Sequence, residues 1–131
     1  MPRLYREAPL NSIWEGSGNV MCLDVLRALQ RDKNALPSLF RELASAKGSN
    51  KNFDESFSHL KETLQDPIDL EIEARLLTEK MACLIQASIF IKSGEEEKVS
   101  AFCNSRLGPR WSGAFGTLPT ETSFEYIMGG S

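Results

Sequence analysis

An all-α bundle is the fold class this sequence predicts, and three observations predict it. Apolar residues recur at helical spacing in several separate stretches, prolines and glycines fall where helices start and stop, and no strand pattern survives beside them. At 131 residues the chain is long enough for one compact domain with a substantial core.

Taken in order, residues 1–12 read as an irregular lead-in held by Tyr5 and ended by Pro9. The first long helix is expected from about Gly18 to Arg31. Its apolar residues Val20, Met21, Leu23, Val25, Leu26 and Leu29 leave only a narrow polar stripe at Asp24, Arg27 and Arg31, so it should be buried around most of its circumference. Asp32-Lys33-Asn34 makes a turn, and Pro37 suits the first turn of the next helix, where a missing N–H costs nothing. Leu36, Leu39, Phe40 and Leu43 give that helix its apolar face, and Gly48 is placed to end it in a left-handed conformation.

A third helix is expected over 54–65, with Phe53, Phe57, Leu60 and Leu64 as its buried side. Asp66 then reads as an N-cap and Pro67 as the first residue of a helix running to about Ser93. The first half of that helix alternates acids with apolar residues, whereas Met81 to Ile91 is almost wholly apolar and should be central. Gly94 precedes Glu95-Glu96-Glu97, whose charges suit the positive end of a further helix carrying Val99, Phe102 and Leu107 and closing at Gly108-Pro109. The tail from Trp111 to Pro119 is glycine-punctuated and aromatic, and residues 121–128 suit one last short helix. Met21, Met81 and Met128 read as core filling, and Trp14 and Trp111 as packing anchors.

The stretch with the most chemical content is Tyr5-Arg6-Glu7-Ala8, a spacer, then Ile13-Trp14-Glu15-Gly16-Ser17-Gly18-Asn19-Val20-Met21. Glu15 sits just ahead of a helix start, beside backbone N–H groups with no partner in the helix. A carboxylate there can be a simple capping group. The string as a whole resembles the carboxy-terminal signature of the acyl-CoA dehydrogenases, and the continuation Met21-Cys22-Leu23-Asp24-Val25-Leu26-Arg27 is most similar to the AidB-like branch, flavoproteins tied to the response to alkylation damage. The similarity is dense over residues 3–31 and thin beyond.

That resemblance implies roles residue by residue. Glu15 matches the base that removes the α-proton of an acyl-CoA thioester while FAD takes the β-hydride; desolvation in a dry pocket would strengthen such a base. Ser17 and Asn19 match side chains that touch the flavin nucleotide. Met21 stands where many members have Gln. Family members are commonly homotetramers, and AidB-like proteins bind duplex DNA through basic residues of the carboxy-terminal domain, one of which falls on Arg27, with Arg31 one turn further on. A complete enzyme of this family is several times longer, so residues 1–131 read as a single all-α domain forming the carboxy-terminal part of a larger flavoprotein, inactive alone. The alternative is a stand-alone interaction module, binding DNA or another protein.

Composition bounds the partners. With 41% hydrophobic and 25% charged residues the chain is no disordered segment, and it has no apolar run of membrane-spanning length and no leader, which suggests a cytoplasmic protein. Residues 1–50 carry seven Lys or Arg against five Asp or Glu, and residues 51–131 carry eight against thirteen. The overall −3 is wrong for a domain gripping nucleic acid through a broad basic surface, and Arg27 has Asp24 at ion-pairing distance along the helix. Cys22, Cys83 and Cys103, odd in number and far apart, suit reduced thiols, and with His59 alone no metal-ligand spacing is present.

Overall fold

The computed structural model describes residues 2–12, 18–65, 70–109, 111, 113, 122 and 124–129. Among the described residues there are α-helices and one short 3-10 helix but no strand, in agreement with the all-α expectation.

The bundle is built around α5 (Ala74–Ser93), which packs against α2 (Gly18–Arg31), α3 (Ala35–Ala44), α4 (Lys51–Gln65) and α6 (Glu96–Arg106). Ala74, Leu77, Met81, Leu84, Ala87 and Ser88 follow one another at three- and four-residue spacing and form its buried face. Leu26, Leu43, Phe53, Phe57, Leu60, Val99 and Cys103 close around them from the other helices. Phe57 sits 6.0 Å from Phe40 and 6.3 Å from Phe53, centroid to centroid, and Phe90 lies 5.1 Å from Phe102, tilted pairs that add to plain area burial. The buried hydroxyls are satisfied: Ser88 donates within its own helix to the Ile85 carbonyl at 2.8 Å, and Ser56 donates across the bundle to the Leu107 carbonyl at 3.3 Å.

Helix ends follow side-chain chemistry. The α2 boundaries fall where the sequence predicts. α3 stops at Ala44, four residues before Gly48, and the chain turns on to Gly48, which is left-handed as expected (φ 91°). The Gly48 N–H donates to the Asp54 carboxylate. α4 starts at Lys51 rather than 54, because the Asn50 side chain accepts from the N–H groups of Asn52 (2.9 Å) and Phe53 (3.3 Å) and so caps the helix early. α5 starts at Ala74, not at Pro67: residues 71–73 form turns, and the helical stripe begins only where the acid/apolar alternation ends. Asp66 and Pro67 themselves lie outside the described residues. Gly94 caps the far end of α5 in the left-handed region (φ 76°).

Four expectations are corrected. The lead-in is not irregular: α1 (Pro2–Glu7) is helical, with Pro2 at its first position and an Arg3–Glu7 pair at 3.0 Å, and it passes into a 3-10 turn over Ala8–Ser12. Among the described residues Tyr5 is not the anchor expected, being 83% exposed. α2 is not buried on most of its circumference: Leu26 is its one buried residue, Leu23, Val25 and Leu29 are half-buried, and Val20 and Met21 are exposed, because among the described residues its neighbours do not surround it. Met81 fills the core, but Met21 and Met128 are exposed.

After α6, Gly108 makes a close approach that only glycine allows, since an added Cβ would stand 2.4 Å from the Asn104 carbonyl oxygen. Trp111 then returns to the bundle, with the Arg106 guanidinium 4.3 Å over its ring and its Nε1–H donated to the Glu79 carboxylate, which fits the packing anchor expected of it. Trp14 lies outside the described residues, as do most positions of the aromatic tail. α7 (Phe124–Gly129) packs against α6.

Candidate functional site

The first residues of α2 and α5 meet at one end of the bundle. Gly18 opens α2 without a side chain, and an added Cβ would lie 3.7 Å from Arg75 Nη2, so the Arg75 guanidinium rests against the start of that helix. Between the two elements is a cleft of about 380 Å³ lined by Asn19, Leu23, Glu71, Ile72, Ala74 and Arg75. α2 has no acidic residue in its first turn, so the positive end of its dipole faces this region without an opposing carboxylate from that turn. The cleft therefore combines an amide, a guanidinium, apolar walls and the Glu71 carboxylate. Such a donor set suits a phosphorylated or otherwise anionic group with an apolar portion.

Large apolar side chains on the chain segments that form the cleft are exposed. Ile72 is 81% exposed and Leu76 49%, and Val20 and Met21, next along α2 from Asn19, are 47% and 44% exposed. Each singly is ordinary for a surface; Ile72 is the one that lines the cleft, and it is kept from water only when something covers it.

Asn19 is thus placed on a cleft, exposed and available. Glu15 and Ser17 lie outside the described residues. Arg27 and Arg31 are not brought to the cleft: they follow Asn19 by at least eight residues, roughly 12 Å along the helix axis. Arg27 Nη1 pairs with Asp24 Oδ1 at 2.7 Å on an open surface, and Arg31 is exposed in the last turn of α2, where a cation suits the helix dipole.

Matches to known proteins converge on one family. AidB of Escherichia coli (strain K12), named for the acyl-CoA dehydrogenases, is 37% identical over 110 residues, 84% of this chain and 20% of AidB. Acyl-CoA dehydrogenase family member 11 of Caenorhabditis elegans is 34% identical over 68 residues, 52% of this chain and 11% of that protein. The chain is related to the AidB-like acyl-CoA dehydrogenases. It spans about one fifth of the length of the AidB relative. No family model matches the chain, and no solved structure does.

Beside the residues that the acyl-CoA dehydrogenase motif singles out, Arg75 is the one that sequence reading missed. Nothing in Glu73-Ala74-Arg75-Leu76-Leu77 sets it apart; only the packing of α5 on α2 carries it to Gly18. The thiols take no part. Burial pushes Cys103 up to about 11, and burial together with the nearby Glu79 carboxylate raises Cys83, so both stay protonated and unreactive near neutral pH. Among the described residues no three His, Cys, Asp or Glu side chains are grouped to hold a metal ion, and no helix is long and apolar enough to cross a membrane.

Proposed function

We propose that the chain is the carboxy-terminal helical domain of an FAD-dependent acyl-CoA dehydrogenase homologue, contributing the catalytic base and part of the flavin site to a larger protein. The observation that carries this reading is Asn19. The motif matches it to a flavin contact, and it lines a cleft whose other donors suit a phosphorylated nucleotide. At about 380 Å³ the cleft accepts only part of a dinucleotide, in keeping with a domain that supplies one wall of the site. The exposed Ile72 in the cleft wall supports the same reading, because further protein can cover it.

In this scheme FAD, when bound, supplies a hydride acceptor. Glu15 takes the α-proton of the acyl-CoA thioester, its carboxylate made more basic by exclusion of water. Ser17 and Asn19 hold the flavin nucleotide by hydrogen bonds. Assembly into a homo-oligomer accompanies the function, with the exposed apolar side chains as a surface for it to bury. Duplex DNA takes second place as a partner: Arg27 already has Asp24, and the chain carries −3 overall.

The test is made on the longest native polypeptide that carries this chain. Glu15→Gln, nearly isosteric and uncharged, should lower acyl-CoA dehydrogenation by about 10²–10⁴-fold while leaving flavin bound, as read by its visible absorbance. Turnover that survives the substitution removes Glu15 as the base.

A further inference from the structure

We propose that Arg75 binds the pyrophosphate of the flavin dinucleotide from the wall of the cleft that Asn19 lines. The inference rests on the flavoprotein reading and adds a residue that the motif does not contain. A dinucleotide pyrophosphate carries two negative charges, and excluding water around it requires cations or well-aligned donors. The residues matched to the base and to the flavin supply none of that charge: Ser17 and Asn19 are neutral, and Glu15 is itself an anion. Arg75 is the basic residue among those lining the cleft.

Its placement fits the role. The Arg75 guanidinium lies against the start of α2, with Nη2 3.7 Å from where a Cβ on Gly18 would stand. Glu71 shares the cleft, yet no ion pair or hydrogen bond joins Arg75 to it or to any other described residue. An arginine fork that is unspent on a carboxylate can present two parallel N–H groups to phosphate oxygens, a geometry lysine does not reproduce. Glu71 opposes a bare anion in the same cleft, so the phosphate charge has to be met by the guanidinium, while the Glu71 carboxylate is suited to accept from a ribose hydroxyl.

Binding of FAD and of riboflavin, which lacks phosphate, to the flavin-free form of the longest native polypeptide tests the proposal. Arg75→Ala should weaken FAD by about ten-fold or more, the usual loss for one charge-assisted contact, while riboflavin binding stays as in the wild type. Arg75→Lys should recover part of the FAD affinity by restoring the charge without the fork. Arg75 is exposed, so the far-UV circular dichroism of both variants should match the wild type. An FAD affinity within about two-fold of wild type in Arg75→Ala removes Arg75 from the site. Equal losses for FAD and riboflavin make its role structural and overturn the proposal in another way. A wild-type polypeptide that takes up no flavin at all sinks the flavoprotein reading itself, and this inference with it.

Discussion

The inner face of α5 and the end of the bundle where α5 meets α2 are made of similar residues and differ in what surrounds them. Along the inner face Leu77, Met81, Leu84 and Ala87 are buried by four other helices. At the end, Ile72 and Leu76 on and before the same helix, with Val20 and Met21 on α2, have no such cover. The contrast teaches that, among the described residues, the domain is closed in its middle and open at one end. Burial of apolar area is worth roughly 25 cal/mol per Å², so side chains left in water contribute little to this fold and remain available to an interface. The cleft with Asn19 and Arg75 lies within the open end, which is where a contribution to a composite site belongs.

The comparison breaks if the two regions respond alike to truncation. Leu84 is completely buried, and Leu84→Ala should cost about 2–5 kcal/mol in urea denaturation of the isolated chain, through lost transfer energy and the cavity left behind. A loss below about 1 kcal/mol would mean that α5 is not the centre of the bundle. Gly108→Ala comes next. Its new Cβ would meet the Asn104 carbonyl at 2.4 Å, and relieving that clash should cost about 1–3 kcal/mol in the same assay. Asn104 Oδ1 accepts from Asn52 Nδ2 at 2.7 Å, so any shift of α6 also disturbs a tie to α4. An unchanged midpoint would place the chain after Leu107 differently.

Much of this was legible in the sequence where local chemistry decides the matter. Gly18 and Arg31 bound α2, Gly48 and Gly94 adopt the left-handed conformations their positions suggest, and the apolar run after Met81 belongs to the hub. The Asn50 cap was also written in the chain, since an Asn two and three residues before the N–H groups it binds is an ordinary helix start; it was hidden inside a polar run that reads equally well as a loop. Alternating Ile68–Glu73 was absorbed into a helix that starts only at Ala74, because alternation and helical spacing share residues at their junction. The outward position of Val20 and Met21 was not legible at all. An apolar stripe reports that a face avoids water, and says nothing of whether the partner is in the same chain. Arg75 is further still from reach, because its proximity to Gly18 joins positions 57 residues apart that no local pattern relates.

The smallest effect on stability is the most informative about the open end. Ile72 is 81% exposed, so Ile72→Ser should change the unfolding free energy of the isolated chain by less than about 0.5 kcal/mol. Its effect on association should be larger in kind. Uncovered apolar side chains at the open end drive copies together as concentration rises, and replacing the most exposed of them with a hydroxyl lowers that tendency. Sedimentation velocity over a concentration series reads this directly: the wild-type chain should shift to faster-sedimenting species at high concentration, and Ile72→Ser should delay the shift. In the longer polypeptide the same substitution should act as a core mutation, at about 1–3 kcal/mol, because there the position is covered and the serine hydroxyl loses water without gaining a partner. Two like responses, both near zero, would mean that Ile72 faces solvent in every context, and the open end would then be a surface and not an interface.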